Sequence, residues 1–267
     1  MEVAPVSWRW AALAAFTFVV LPGPTMVAQP TEQTAPRLRV EVLGTVPHDT
    51  SAFTQGLELH DGILYEGTGL EGRSQIRALD PDTGQVQQQV ALPAEVFGEG
   101  ITVVDDTIWQ LTWQDGIAYQ RDRATLAERR QVTYPGEGWG ICHDADRDRL
   151  VMSDGTDRLT FRDPDTFEPA ATVAVTLDGQ PLRSLNELEC VGEKVWANVW
   201  QTDQIVRIDP ATGTVDAVVD AAGLLTPDER AGADVLNGIT AVPCTDNFLI
   251  TGKLWPKMFR VRFVPAG

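Results

Sequence analysis

Histidine and cysteine are both scarce in this 267-residue chain, at three residues each. His48, His60 and His143 fall in separate stretches, and Cys142, Cys190 and Cys244 lack the close pairing of a metal motif. A zinc site of the usual His-rich or Cys-rich type is therefore not expected. Three cysteines also allow at most one bridge, and the sequence does not say which pair would form it.

Basic residues are few as well: 21 Lys and Arg stand against 38 Asp and Glu, for a net charge of −17. Nucleic acid binding needs a basic footprint, and there is none. A cationic ligand is mildly favoured, but only at short range, because salt screens such attraction beyond about 8–10 Å. The charge otherwise reads as solubility.

No apolar run is long enough to cross a bilayer as a helix, which takes roughly 20 residues. The N-terminal run from Trp10 to Leu21 has 12. Arg9 precedes it, and Pro22, Gly23 and Pro24 and then the small Ala28 come after it, which is the layout of a cleavable export signal. Residues 1–28 are assigned to that signal, 29–36 to a linker and 37–267 to one domain, exported to a secreted or periplasmic location. The domain length and a 43% hydrophobic content suit one large all-β fold.

Helical periodicity is nearly absent after the signal, and a repeat takes its place. DPDTGQV (80–86), DRATLAE (122–128), DPDTFEP (163–169) and DPATGTV (209–215) each read as a turn opened by Asp. Ahead of each turn, and once more near the C-terminus, comes a hairpin of two apolar strands with period-two alternation. Five four-stranded units of about 40–50 residues predict a five-bladed β-propeller. The last unit ends after MFRVRF (258–263), so RLRVEVLGTV (37–46) is expected to supply its missing strand and close the ring. One insertion, 220–236, carries Thr226, Pro227 and Glu229 in the spacing of an N-cap, N1 and N3 set, which predicts a short helix.

In such a fold the segments leading into the first strands converge on one mouth. Those segments bring together Phe53, Gln55, Phe97, Glu99, Trp139, Asn186 and Asn237, while the second-strand ends bring Glu66, Trp113, Asp154, Trp200 and Lys253. A carboxylate, a lysine, carboxamides and aromatics in one place suit catalysis on a small group held in a shaped pocket. Glu187 reads as a second mouth carboxylate and Glu189 as strand surface. Trp109, Trp196 and Trp255 read as packing between blades.

At these residues the chain resembles a known family. FTQGL, FGEGIT, LTW, GWG, SDGT, NELE, ANVW, LNGI and TGKLWP occur in the order seen in plant- and bacterial-type glutaminyl-peptide cyclotransferases, over about residues 40–263. Gly67 departs from the pattern, where serine is expected. The resemblance implies a five-bladed propeller, conversion of N-terminal glutaminyl residues of peptides or proteins to pyroglutamyl with loss of ammonia, and no required cofactor. A calcium ion in the channel is left open. On this reading Glu99 shuttles the proton, with the flanking Gly98 and Gly100 letting the backbone approach the substrate. Lys253 and Asn186 stabilise the tetrahedral intermediate, Gln55 orients the amide, and Phe53, Phe97, Trp113, Trp139 and Trp200 wall the pocket. A monomer is expected. The rival readings are a calcium-dependent lactonase-like propeller hydrolase, disfavoured by Lys253, and a non-catalytic protein-binding propeller.

Overall fold

The computed structural model describes residues 34–267 together with the first four residues. The assigned export signal, apart from those four residues, and most of the 29–36 linker lie outside the described residues. The chain divides at Glu32/Gln33, and the repeats all belong to the unit Gln33–Gly267.

This unit is all-β. Strand β1 (Arg37–Pro47) precedes five repeats. The first comprises β2 (Thr54–His60), β3 (Ile63–Thr68), β4 (Gln75–Leu79) and β5 (Val86–Ala91). The second comprises β6 (Gly98–Val104), β7 (Thr107–Thr112), β8 (Ile117–Asp122) and β9 (Glu128–Thr133). The third holds β10 (Ile141–Asp144), β11 (Arg149–Ser153), β12 (Arg158–Arg162) and β13 (Pro169–Ala174), then a two-strand excursion, β14 (Thr176–Leu177) and β15 (Gln180–Pro181). The fourth is β16 (Leu185–Val191), β17 (Lys194–Val199), β18 (Gln204–Asp209) and β19 (Thr214–Asp220). The fifth is β20 (Leu236–Ala241), β21 (Asn247–Gly252) and β22 (Lys257–Pro265).

Each repeat pairs its strands antiparallel in sequence order. The fifth takes its outer strand from the chain start, since β1 runs antiparallel to β22 from Leu38↔Pro265 to Pro47↔Lys257. Beyond that, β1 pairs parallel with β19 through Arg37–Arg39, which joins the fourth and fifth repeats into one sheet. Strand β1 thus covers an edge that would otherwise be open.

The inner strands form a closed circuit: β2 packs on β6, β6 on β10, β10 on β16, β16 on β20, and β20 back on β2. The core is divided accordingly into clusters between neighbouring repeats. Tyr65 and Ile76 meet Ile101 and Ile108, Trp109 and Leu111 meet Ile141 and Phe167, and Phe161 meets Leu188 and Val195. Trp196 meets Ile239 and Phe248, and Leu249 and Met258 meet Leu57 and Leu64. Burying each such side chain is worth about 1.5–3 kcal/mol, so every repeat depends on both neighbours.

The Asp-led turns are held as their sequence suggests. Asp80 Oδ1 accepts from the N–H groups of Asp82 and Thr83, and Asp163 Oδ1 from those of Asp165 and Thr166. In the 220–236 insertion a helical turn, α1 (Pro227–Arg230), begins with Thr226 and Glu229 in a reciprocal capping box. Cys142 and Cys190 form a disulfide that ties β10 to β16, and Cys244 is free and exposed. Among the described residues no helix is long and apolar enough to cross a membrane.

Candidate active site

The site is built by irregularities at the starts of the inner strands. The pairing register slips between Thr54 and Gly56, between Gly98 and Ile101, between Leu185 and Leu188, and between Leu236 and Ile239. These bulges hold Gln55, Glu99, Asn186 and Asn237. A bulge re-aims a side chain that regular pleating would send to the sheet face, so Gln55, Glu99 and Asn186 line one cavity, while Asn237, read from sequence as a mouth residue, is fully buried beneath Gln55. In the third repeat, Trp139 stands just before β10.

Glycine next to these positions serves the close approach of inner strands. A Cβ on Gly100 would lie 2.7 Å from the Trp139 carbonyl oxygen, and one on Gly140 would lie 2.1 Å from that of Asn186. Gly98 likewise faces the Thr68 carbonyl and the Ser74 and Leu92 side chains. The expectation that Gly98 and Gly100 open the backbone to substrate is therefore corrected: neighbouring strands occupy that space. The same crowding accounts for Gly67, where any Cβ would lie 2.7 Å from Ile101 Cγ2 and 2.8 Å from the Glu99 carbonyl oxygen.

A cavity of about 390 Å³ opens above these residues. Phe53, Gln55, Phe97, Glu99, Trp113, Trp139, Asn186, Trp200 and Lys253 all line it. The structure thus brings together every residue assigned a catalytic or substrate-binding role from sequence. It adds Gln201, Asp234 and Val235, which sequence reasoning missed because the 220–236 insertion interrupts the repeat and Gln201 lies just past a strand end.

At the floor, Gln55 Nε2 donates to Glu99 Oε1 at 2.9 Å, and Asn237 Nδ2 donates to Gln55 Oε1 at 3.2 Å and to the Thr54 carbonyl at 3.0 Å. Among the described residues, Glu99 Oε2 is buried without a partner, as is Asn186 Oδ1. Burial pushes the Glu99 carboxyl well above the ordinary carboxylate range. The Lys253 charge opposes that rise and the Glu137 charge adds to it. Lys253 is only 4% exposed. Burial draws its pKa down against the pull of Glu99 and Asp234, and its Nζ lies 4.7 Å from the centre of the Phe53 ring.

The walls are interlocked. Phe53 meets Phe97 edge-on at 6.1 Å, Phe97 meets Trp113 at 5.5 Å, and Trp139 meets Trp200 at 5.4 Å. One carboxylate holds two of these rings: Glu137 Oε2 accepts from Trp113 Nε1 at 2.8 Å and from Trp139 Nε1 at 2.9 Å. The Trp139 bond is the leading reason the Glu137 pKa is lowered. Its signal was present in GEGWG, but nothing in that pattern says that the acid reaches both tryptophans.

Four acidic readings are corrected. Asp154 does not line the cavity, and its Oδ1 accepts from Thr156 N at 3.0 Å. Glu187 does not face the mouth. It is 1% exposed and bridges the Leu57 and Ile239 N–H groups, at 3.1 and 2.8 Å, because it occupies the place that Gly56, Gly100 and Gly238 hold in other repeats. Glu189 is no surface residue. It is buried on an inner strand and accepts from Ala241 N at 2.7 Å. Glu66 does not line the cavity, being enclosed between His48 and Arg77. Among the described residues no three His, Cys, Asp or Glu side chains converge as metal ligands.

A floor of carboxyl, carboxamide and lysine beneath an aromatic wall, in an all-β domain, defines the class: an all-β protein with an enzyme-like pocket. More narrowly, the chain belongs to the glutamine cyclotransferase family, whose model matches residues 13–263. It is 37% identical over 234 residues to the glutaminyl-peptide cyclotransferase of Arabidopsis thaliana, covering 85% of this chain and 72% of the relative. The crystal structure of Myxococcus xanthus glutaminyl cyclase is 38% identical and superposes with a TM-score of 0.78, covering 87% of this chain and all of that one. A chain of a nidogen/laminin complex is 16% identical, with a TM-score of 0.50 over 76% of this chain and 73% of its own, a likeness of fold alone.

Proposed function

We propose that this enzyme closes the N-terminal glutaminyl residue of peptides or proteins into pyroglutamate with release of ammonia, using Glu99 as the proton shuttle. The observation that carries the mechanism is the buried Glu99 carboxyl, fixed through one oxygen by Gln55 and unpartnered at the other. Family membership supports the reaction itself.

In this reaction the substrate α-nitrogen attacks its own side-chain amide carbon. Glu99 Oε2 accepts a proton from the attacking amine as the new C–N bond forms. It returns that proton to the amide nitrogen as the old C–N bond breaks, so ammonia leaves and the carboxylate is regenerated. Negative charge gathers on the amide oxygen in between, and Lys253 with the Asn186 amide supplies donors for it. The aromatic walls hold the folded conformer in which amine and carbonyl meet. No cofactor is needed for these steps. Lys253 beside Glu99 opposes a dication at this floor, so the lactonase-like reading draws no support from the site.

We read the fold as a five-bladed propeller closed by β1; the circuit of five inner strands and the core clusters between them support this. We assign residues 1–28 to an export signal, 29–36 to a linker and 37–267 to the catalytic domain of a secreted or periplasmic monomer. The activity is tested by incubating a short glutaminyl peptide with the purified chain and tracking ammonia and product mass. Equal amounts of ammonia and pyroglutamyl peptide are expected; a folded chain that leaves the peptide unchanged contradicts the proposal.

A further inference from the structure

The substrate class can be narrowed from the outer part of the same pocket, and this step rests on the cyclisation reading. Because the attacking nitrogen and the carbonyl carbon belong to one residue, both must lie at Glu99, which is only 5% exposed. The rest of the peptide then leaves through the opening, so the second residue passes the exposed lining groups Trp113, Gln201 and Asp234.

Asp234 is the exposed charge on that path. Its main chain is held on both sides, donating to the Lys253 carbonyl at 2.8 Å and accepting from Trp255 Nε1 at 2.9 Å. Its Oδ1 accepts from Val235 N at 2.7 Å, and its Oδ2 has no partner among the described residues. The one cationic group lining the cavity among the described residues, Lys253, is buried and interacts with the Asp234 charge without bonding to its carboxylate, so no exposed base in the lining pairs with Asp234. Glu137, which does not itself line the cavity, holds the Trp113 and Trp139 indoles and adds a second negative charge beside the wall they form. Gln201, exposed and at φ 63°, presents a carboxamide on the rim for the peptide backbone.

We propose that Asp234, Gln201 and Trp113 form a subsite for the residue after the glutamine, and that it selects peptides with Lys or Arg there over Ala, and Ala over Asp or Glu. The head of a long basic side chain would meet Asp234 while its aliphatic stem lies along the apolar lining of the opening. An exposed ion pair of this kind is modest and sensitive to salt.

The test is kcat/KM for three otherwise identical peptides with Lys, Ala or Glu after the glutamine, at low and high salt. Lys is expected to exceed Ala by about two- to fivefold, with Glu below Ala and the spread shrinking in high salt. Asp234→Asn keeps an acceptor for Val235 N and should flatten the series, while Asp234→Lys should reverse it. Equal rates for the three peptides, or an order that neither salt nor the Asp234 variants change, overturns the subsite while leaving the cyclisation reading intact. No turnover of any peptide by folded wild type contradicts the activity itself, and the subsite falls with it.

Discussion

Gln55 and Glu99, 44 residues apart in the chain, are joined by a 2.9 Å hydrogen bond that leaves one carboxyl oxygen of Glu99 fixed and the other unpartnered. Each side chain sits in a bulge at the start of its own inner strand, so two repeats must be correctly docked for the pair to form. Gln55→Ala should lower kcat by about tenfold to a hundredfold, because misplacing a reacting group by an ångström costs on that order. Steady-state kinetics on a glutaminyl peptide checks this, with unchanged thermal unfolding as the control for folding.

The pH profile of kcat/KM should be a narrowed bell. Glu99 must lose its proton to act as base, and its pKa lies well above the usual carboxylate value because it is buried, so the acid limb should fall above the ordinary Glu range. Lys253 must keep its proton to donate, and burial lowers its pKa, so the alkaline limb should set in below the ordinary Lys range. Rates measured across the pH range in buffers of constant ionic strength report both limbs.

Glu137→Gln should act through the walls and the field together. The two indole N–H groups lose a charged acceptor, so KM should rise by about threefold to tenfold, as expected for weakened charge-assisted bonds. Loss of a like charge near Glu99 should also move the acid limb downward in pH. A role confined to packing would change KM alone.

Much of this was legible in the sequence, and the remainder was not for definite reasons. The turn motif and the period-two hairpins announced the repeats, and the equivalence of Gln55, Glu99, Trp139, Asn186 and Asn237 came from alignment of those repeats. What the pattern lacked was direction. Glu187 and Asn186 are neighbours in one bulge, yet one spans the channel between two strands and the other lines the cavity. The bulge that separates them leaves no mark in composition. Asp234 and Gln201 lie outside the repeating register, where no internal comparison could reach them.

Stability should fall in acid because of Glu66. Burial alone would raise its pKa, but His48 and Arg77 outweigh burial and hold it at about 2. Its folded pKa is thus below the unfolded value. The stabilisation is complete above the ordinary Glu range and is lost as pH falls toward about 2. The group joins the end of β1, through His48, to the first repeat. Glu66→Gln should therefore destabilise the fold by about 3 kcal/mol near neutral pH, as when one partner of a buried pair is removed. Urea unfolding at several pH values would show the difference between wild type and variant shrinking in acid.

The most direct test of the proton-shuttle role is the activity of Glu99→Gln, which keeps the shape of the side chain but cannot carry the proton. The predicted result is a loss of about 10²- to 10⁴-fold in kcat, with KM changed little and Glu99→Asp recovering part of the rate. A Glu99→Gln enzyme that releases ammonia within about threefold of the wild-type rate, far short of the loss expected for a missing acid–base group, would contradict the assignment of Glu99 as the proton shuttle.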